Sequence, residues 1–314
     1  MKDLAPICLF TYNRLNETKK TVDALQNNFL ASKSDLFIFS DGPKNEYTLN
    51  KINSVRKFLK SIDGFKTVKI FESKKNKGLA KSIIEGVTKV LFEHDKVIVL
   101  EDDLITSKNF LDFMNKSLKF YENYNEIKSI NGYSVDIGKT ENEFSTFSIM
   151  RTYSWGWATW KDCWHKNIFN DKIIKEKIKT SNLKDFDKKC GADMSRMLLN
   201  SLAGNNDSWY AKWAFNHYTE DKYAIYPYLS KIINIGYVPS ATHCTTIDVL
   251  ESKFDIKNSR KFNFDESVKT NKTNNKKFLK FFTFKHKFVY RLNLVFKKGG
   301  IKLLILDFKK KFLE

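Results

Sequence analysis

The stretch KVIVLEDD, residues 96–103, decides which fold this chain is expected to have. Its apolar run Val97–Leu100 is short and uninterrupted, which is typical of a strand buried on both faces of a sheet. Three carboxylates, Glu101, Asp102 and Asp103, follow the run without a spacer. Ligands of open α/β sheets bind beyond the carboxyl ends of the strands, so the stretch predicts a functional site as well as a strand.

The carboxylate triplet indicates a metal site. Adjacent carboxylates repel one another, and each raises the pKa of its neighbours. A hard divalent cation relieves that repulsion, because Mn²⁺ and Mg²⁺ prefer carboxylate and phosphate oxygens as ligands. The alternative is a solvated acidic turn ahead of the next helix. We predict that Asp103 helps to bind Mn²⁺ or Mg²⁺.

Three further strand patterns precede this one, and helical patterns separate them. The strand patterns cover residues 5–12, 35–40 and 67–71. Strands that alternate with helices predict the α/β fold class, with a mostly parallel sheet flanked by helices. The chain has neither a G-x-G-x-x-G after the first strand nor a G-x-x-x-x-G-K-[ST], so neither a dinucleotide fold nor a P-loop NTPase is supported.

Polar residues follow the end of each predicted strand. Thr11 and Arg14 follow the first strand, Asp41 the second, Lys77 the third and the carboxylate triplet the fourth. Together they predict a pocket for a nucleotide diphosphate, in which Asp41 bonds a base or ribose hydroxyl and Arg14 and Lys77 offset phosphate charge. Taken singly, Asp41 is typical of a turn and Lys77 of a solvated helix start.

The aromatic stretch YSWGWATW, residues 153–160, contains three tryptophans. If this stretch is extended, Trp155 and Trp157 face the same way, and Gly156 lets a ligand or another backbone approach closely. Aromatic faces against sugar rings are one interpretation of this pair. A hydrophobic cluster that seals the sheet is the other, and the sequence leaves both open.

Asp207 precedes a helical pattern that contains Trp209, which we predict to contact acceptor or sugar as Trp155 and Trp157 would. A carboxylate there is explained by capping of the helix, yet it is also well placed for general-base work next to the tryptophan. His243 lies in a later loop pattern and is a candidate metal or phosphate ligand, although a lone histidine is more often neither.

Composition bounds the class of protein. The chain has 314 residues, a 42% hydrophobic fraction and a formal net charge of +19, which indicate a globular protein with an acidic or anionic partner. Its four cysteines are scattered without a C-x-x-C pair, so reduced thiols are expected rather than a zinc knuckle or a disulfide framework. No run approaches the length of a membrane span, and no signal-peptide pattern opens the chain, so we expect a cytoplasmic protein.

The C-terminal segment is basic and amphipathic. Residues 276–314 contain twelve Lys and Arg and two acidic residues, about half of the excess positive charge. Apolar residues from Phe278 to Phe296, and again from Ile301 to Phe312, recur at helical spacing. We predict a catalytic domain at 1–265 and a helical tail at 266–314 that lies on an anionic membrane surface. The alternative is a helical hairpin that packs on the catalytic domain or on another subunit.

Taken in order, these motifs make the chain resemble GT-A fold glycosyltransferases, specifically the bacterial sugar transferases related to N-acetylglucosaminyltransferase I. The resemblance runs from about residue 4 to residue 250. The matching stretches are residues 6–14, 39–43, 76–79, 101–104, 155–160, 207–209 and 236–243.

The resemblance implies a Rossmann-like fold and the transfer of a sugar from a nucleotide donor, such as a UDP-sugar, to an acceptor hydroxyl with inversion. Asp103 would ligate the cation, Asp102 would meet the ribose or the waters of the cation, and Asp207 would be the base. A glycan or lipid-linked acceptor of bacterial surface-polysaccharide assembly would explain an enzyme held peripherally at the inner face of the cell membrane.

Three rival functions share some of these features. A nucleotidyltransferase on a similar sheet also uses carboxylates and a metal, but it releases pyrophosphate. A non-catalytic protein that binds nucleic acid or membrane would explain the charge; we expect no nucleic acid, because the basic excess lies in a Phe-striped tail and no RRM, KH or zinc-finger signature is present. A scaffold that retains the fold without activity is the third.

Overall fold

The computed structural model describes residues 4–138, 144–236, 250, 252–296 and 300–312. The described strands are β1 (Ile7–Thr11), β2 (Asp35–Ser40), β3 (Thr67–Glu72), β4 (Lys96–Glu101), β5 (Leu104–Thr106), β6 (Ile127–Asn131), β7 (Thr146–Ile149), β8 (Trp157–Trp160), β9 (Tyr223–Pro227) and β10 (Ile232–Asn234). The described α-helices are α1 (Leu15–Gln26), α2 (Glu46–Leu59), α3 (Leu79–Glu93), α4 (Phe110–Phe120), α5 (Asp171–Thr180), α6 (Leu183–Cys190), α7 (Met194–Leu202), α8 (Trp209–Thr219), α9 (Lys272–Leu279), α10 (Phe284–Val295) and α11 (Gly300–Phe312).

The large sheet has the strand order β3-β2-β1-β4-β8-β6-β9-β7. Strands β1 to β4 run parallel to one another, as the alternation of strands and helices predicts. The antiparallel pairs are β4 with β8, β8 with β6, and β9 with β7. The predicted α/β fold, a mostly parallel sheet flanked by helices with C-terminal helices appended, is confirmed.

The central strand β4 is buried on both faces, which confirms the prediction from residues 96–103. Ile98 and Leu100 belong to one apolar cluster together with residues of α1, α2 and α4. Val97 and Val99 belong to the other cluster together with residues of α3 and α8. The carboxylate triplet lies at the carboxyl end of this strand.

A tryptophan cluster closes the second face of the sheet. Trp157 is 1% exposed, and its ring centroid lies 5.3 Å from that of Trp164 and 5.2 Å from that of Trp209. Trp213 completes the cluster at 5.1 Å from Trp164. Of the two interpretations left open for Trp157, the structure therefore places it in the hydrophobic cluster.

The C-terminal segment divides into a buried part and an exposed part. Phe278, Phe281 and Phe282, which the sequence assigns to an exposed stripe, are instead at most 3% exposed. Phe278 packs against Tyr226 of β9 at a centroid distance of 4.8 Å. This contact buries apolar side chains at the edge of the sheet formed by β7 and β9. The exposed apolar residues begin at Phe284, on α10 and α11. Within the described residues, no helix combines the length and apolar character needed to cross a membrane.

Candidate active site

A cavity of about 990 Å³ opens where β1, β2 and β4 end. Thr11, Arg14, Asp41 and the triplet Glu101–Asp103 line it, so the structure brings these predicted residues together. The carboxyl ends of parallel strands meet at one edge of a sheet, which is why residues far apart in sequence converge here.

Arg14 joins the two aspartates of the triplet. Its Nη2 donates to Asp102 Oδ1 at 2.8 Å and to Asp103 Oδ2 at 2.9 Å. The backbone N–H of Tyr12 donates to the other carboxylate oxygen of Asp102 at 3.1 Å. Asp102 and Asp103 are only 3% and 5% exposed, so this pairing replaces the water that the carboxylates lose.

Glu101 and Asp102 of the triplet have raised pKa values, as the sequence predicts. Burial, with smaller contributions from Asp103 and Asp102, raises the pKa of Glu101 to about 8. Burial also raises the pKa of Asp102 to about 6, although Arg14 opposes the shift. The pKa of Arg14 is lowered by burial but raised more strongly by the two aspartates, so it lies above its ordinary value. The site therefore favours additional positive charge.

The free oxygen of Asp103 and the chemistry of its neighbours fit a divalent cation. No donor among the described residues bonds to Oδ1 of Asp103, whereas both oxygens of Asp102 are engaged. Gly236 lies so close that a Cβ there would be 2.1 Å from Asp103 Oδ2. The described residues contain no group of three or more His, Cys, Asp or Glu able to hold a metal. His243 lies outside the described residues.

Asp41 shapes the loop that precedes α3. Its carboxylate accepts hydrogen bonds from the backbone N–H groups of Gly42, Lys77 and Gly78 at 2.8 to 3.1 Å, and from Asn76 Nδ2 at 2.9 Å. The ammonium group of Lys77 pairs with Glu85 at 2.7 Å, and Lys77 is not among the residues that line the cavity. In the structure, the ammonium group of Lys77 therefore pairs with Glu85 and does not line the cavity, and its contact with phosphate stays a prediction.

Asp207 reaches the N-terminus of α3 from the loop before α8. Its Oδ2 accepts from the backbone N–H of Ala80 at 3.1 Å, and a Cβ on Gly78 would lie 2.9 Å from the same oxygen. Ser208, not Asp207, caps α8 by accepting from the N–H of Ala211. Asp207 is exposed and lines the cavity, so capping of α8 does not explain its carboxylate.

Of the three tryptophans predicted to contact sugar, two line the cavity and one does not. Trp155 and Trp209 line the cavity, and Trp155 contacts Tyr153 at a centroid distance of 4.9 Å. Trp157 does not line it. Thr11 lines the cavity, and its hydroxyl is buried and has no hydrogen-bond partner among the described residues.

Sequence reasoning missed a basic group in the cavity wall. The cationic cluster consists of Arg151, Arg196, Lys287 and Arg291, all of which line the cavity. Arg151 donates to Asp193 Oδ1 at 2.7 Å and lies 3.7 Å from the ring centroid of Phe282. The one sequence signal for it is the position of Arg151, directly ahead of the aromatic stretch 153–160. The other three residues lie in helical segments without any motif.

Comparison with solved structures gives distant matches. One is a mannosyltransferase, PcManGT, from Pyrobaculum calidifontis in complex with GDP-Man and Mn²⁺, at 10% identity and a TM-score of 0.35. The match covers 52% of this chain and 48% of that one. Another is S. aureus TarS, at 11% identity and a TM-score of 0.35, covering 51% of this chain and 28% of that one. This chain thus spans less than half the length of either structure. No curated protein sequence matches it significantly.

The family comparison is decisive. The sequence model of glycosyl transferase family 2 matches residues 7–177, more than half of the chain. The matched range contains Arg14, Asp41 and the carboxylate triplet, whereas Asp207 and most of the cationic cluster lie beyond its end. The narrower relation to N-acetylglucosaminyltransferase I stays a prediction. With its parallel strands ending at a carboxylate-lined cavity, the chain belongs to glycosyl transferase family 2.

Proposed function

We propose that this glycosyltransferase moves a sugar from a nucleotide-sugar, with UDP-sugars as the first candidates, to an acceptor hydroxyl with inversion at the anomeric carbon. The observation that carries the proposal is the Arg14–Asp102–Asp103 network beside the loop that Asp41 organises. The network combines carboxylate oxygens that can bind a cation with the positively charged side chain of Arg14. Both kinds of group are needed to bind a diphosphate.

In this proposal the strand ends bind the donor. Thr11 and Asp41 contact the nucleoside, Asp102 meets the ribose or the waters of the cation, and Asp103 is the metal ligand. Arg14 would exchange part of its pairing with the aspartates for hydrogen bonds to phosphate oxygens. A bound Mn²⁺ or Mg²⁺ would act as a Lewis acid that stabilises the leaving diphosphate.

Asp207 is the proposed general base. It takes the proton of the acceptor hydroxyl while the acceptor oxygen bonds to the anomeric carbon and the bond between that carbon and the diphosphate breaks. Its carboxylate accepts from Ala80 at the positive N-terminal end of α3, which fixes its orientation. Trp155 and Trp209 of the cavity wall are the proposed contacts to sugar rings.

The products distinguish this function from its nearest rival. The full chain is incubated with each nucleotide-sugar and Mn²⁺, with water or a panel of lipid-linked and free glycans as the acceptor. A glycosyltransferase releases a nucleoside diphosphate, and that release should be abolished by Asp103→Asn. A parallel incubation supplies a nucleoside triphosphate and a sugar 1-phosphate, which are the substrates of the rival. Release of pyrophosphate there, without release of a nucleoside diphosphate from the nucleotide-sugars, would establish a nucleotidyltransferase and overturn the proposal.

We also propose that α10 and α11 hold the enzyme peripherally on the inner face of the cell membrane, where a lipid-linked acceptor of surface-polysaccharide assembly would be found. The exposed apolar residues of this segment include Phe288 at 52%, Phe296 at 88% and Ile305 at 53% exposure. Lysines lie between them. An apolar stripe beside basic residues is typical of helices that lie in the membrane interface.

Binding of the full chain to vesicles that contain anionic lipid tests this second proposal. Fully burying a phenylalanine is worth about 1.5–3 kcal/mol, so Phe296→Ser should weaken binding by at least roughly tenfold. Phe92→Ser is the matched control, because Phe92 is 81% exposed but lies on α3. Equal binding by both variants, or no binding by the unmodified chain, would contradict the proposal.

A further inference from the structure

One face of α10 forms part of the cavity wall. Phe284, Lys287, Phe288 and Arg291 line the cavity. Their spacing of three, four and seven residues places them on one side of a helix. The helix that presents apolar residues to solvent therefore also contributes two aromatic rings and two cations to the site.

Positive charge is in excess in this part of the wall. Arg151 and Lys287 of the cationic cluster share one carboxylate, that of Asp193. Arg151 is committed to that carboxylate through a 2.7 Å hydrogen bond and also donates to the carbonyl of Cys190. Lys287 lies farther from it, at 3.6 Å. One carboxylate thus faces two cations, so positive charge is in excess at Arg151 and Lys287.

Arg196 is a cation of the cluster that an anion in the cavity could pair with. It lines the cavity, it is exposed, and it makes no ion pair with any of the described residues. Burial lowers the pKa of Lys287, and Arg151 and Arg196 lower it further although Asp193 opposes them. Cations that disfavour one another's charge are stabilised when a ligand anion lies between them.

We propose that the cationic cluster binds a phosphate or carboxylate group of the acceptor, and that Phe284 and Phe288 contact an apolar portion next to that group. This inference rests on the proposed function, whose acceptor it assigns to a chemical class, that of anionic amphiphiles. The donor diphosphate is assigned elsewhere, to Arg14 and the carboxylate triplet. Because Phe284 and Phe288 are 82% and 52% exposed, an amphiphile could enter from the same surface that is proposed to lie on the membrane.

Octyl phosphate below its micellar concentration is a suitable probe, with octyl glucoside and inorganic phosphate as the comparisons. Binding to the full chain is followed by tryptophan fluorescence, since Trp155 lines the cavity. A charge-assisted hydrogen bond contributes about 1.5–3 kcal/mol, so octyl phosphate should bind at least about tenfold more tightly than octyl glucoside. It should also bind more tightly than inorganic phosphate.

Arg196→Gln and Lys287→Gln should each remove most of the preference for octyl phosphate. Lys285→Gln is the matched control, because Lys285 is exposed on the same helix and is not among the residues that line the cavity. Equal affinity for octyl phosphate and octyl glucoside, or equal losses in all three variants, would overturn the inference. Equal affinity for inorganic phosphate would overturn the assignment of the apolar portion.

Donor binding separates this inference from the proposed function. Metal-dependent stabilisation by a nucleotide-sugar should be the same in Arg196→Gln, Lys287→Gln and the unmodified chain. If these variants lose it, the anion belongs to the donor, and the inference fails while the proposed function stands. If the unmodified chain never shows it, the proposed function fails whatever the octyl phosphate result.

Discussion

The carboxylate end and the cationic cluster of the cavity are held in different ways. At the carboxylate end, backbone N–H groups fix the acids: three bond to Asp41 and one to Asp102. In the cationic cluster, Arg196 and Lys287 project from helices, and only Arg151 is fully enclosed. The first arrangement lies inside the family match at residues 7–177, whereas most of the second lies beyond it. The part of the cavity that lies within the family match is therefore held by the sheet, and most of the part beyond it by helices.

The largest expected effect is on kcat, through the proton transfer that we assign to Asp207. Asp207→Asn keeps the shape of the side chain and removes the base, so kcat should fall by about 10²- to 10⁴-fold. Metal-dependent donor binding should be unchanged, because Asp207 is not part of the Arg14 network. A variant that retains most of its turnover would exclude Asp207 as the base.

The two neighbouring tryptophans provide the next test, because one supports the scaffold and the other lines the cavity. Trp157→Ala should lower the free energy of unfolding by about 3–5 kcal/mol, since Trp157 is enclosed by other rings. Trp155→Ala should cost less than about 2 kcal/mol and should mainly weaken acceptor use. Urea unfolding and kinetics on both variants measure the difference. Similar losses of stability would contradict the separation.

A third test moves Asp207 without changing it. Gly78 has a φ of +79° and a Cβ there would lie 2.9 Å from Asp207 Oδ2, so Gly78→Ala combines backbone strain with displacement of the carboxylate. Gly204→Ala is the control, because Gly204 has a φ of +77° and nothing within 4 Å of an added Cβ. We expect both variants to lose roughly 1–2 kcal/mol of stability and only Gly78→Ala to lose about tenfold in kcat. Equal kcat values would remove the proposed role of this contact.

The test with the smallest expected effect concerns His217, in the scaffold that both regions share. Burial lowers the pKa of His217 to about 3, and its ring contacts Ser129 and the carbonyl of Trp213. Because the neutral form is favoured in the folded state, the stability it contributes is full above pH 6.5 and is lost as the pH falls toward 3. The loss is at most about 1.4 kcal/mol per pH unit.

His217→Gln should therefore flatten the fall in unfolding free energy between pH 7.5 and pH 5.5 by about 1 kcal/mol. Donor and octyl phosphate affinities, measured on the folded fraction, should not change, because His217 lies outside the cavity wall. An unchanged pH dependence in the variant would contradict a neutral, buried histidine.

The parallel half of the fold follows from the sequence because its strands are apolar runs with polar ends. Residues 96–103 predict both the burial of β4 and the site at its end. The same logic locates Arg14, Asp41 and the triplet at one edge. It does not determine the direction of the Lys77 side chain, because whether a lysine at a helix start turns to a ligand or to Glu85, two turns along, depends on the rotamer.

The aromatic stretch and the tail show where periodicity stops being informative. Gly156 has a φ of +64°, which interrupts the extended backbone, so Trp155 and Trp157 do not share a face as alternation predicts. In the tail, Phe282 is buried and Phe284 is 82% exposed, although both belong to one Phe-rich pattern. Which aromatic residues are covered depends on where α9 meets the sheet, and spacing alone does not encode that contact.

The most direct test of the central claim is donor binding at the carboxylate end. Thermal stability of the full chain is measured with UDP-, GDP-, CMP- and dTDP-sugars, with and without Mn²⁺. The same panel is applied to Asp103→Asn and to the control Asp23→Asn, which changes an exposed residue of α1. A ligand at 100 times its dissociation constant stabilises by about 2.7 kcal/mol. We expect stabilisation by one nucleotide class that requires Mn²⁺ and is lost only in Asp103→Asn. No stabilisation by any donor, or stabilisation that Asp103→Asn leaves intact, would contradict the account.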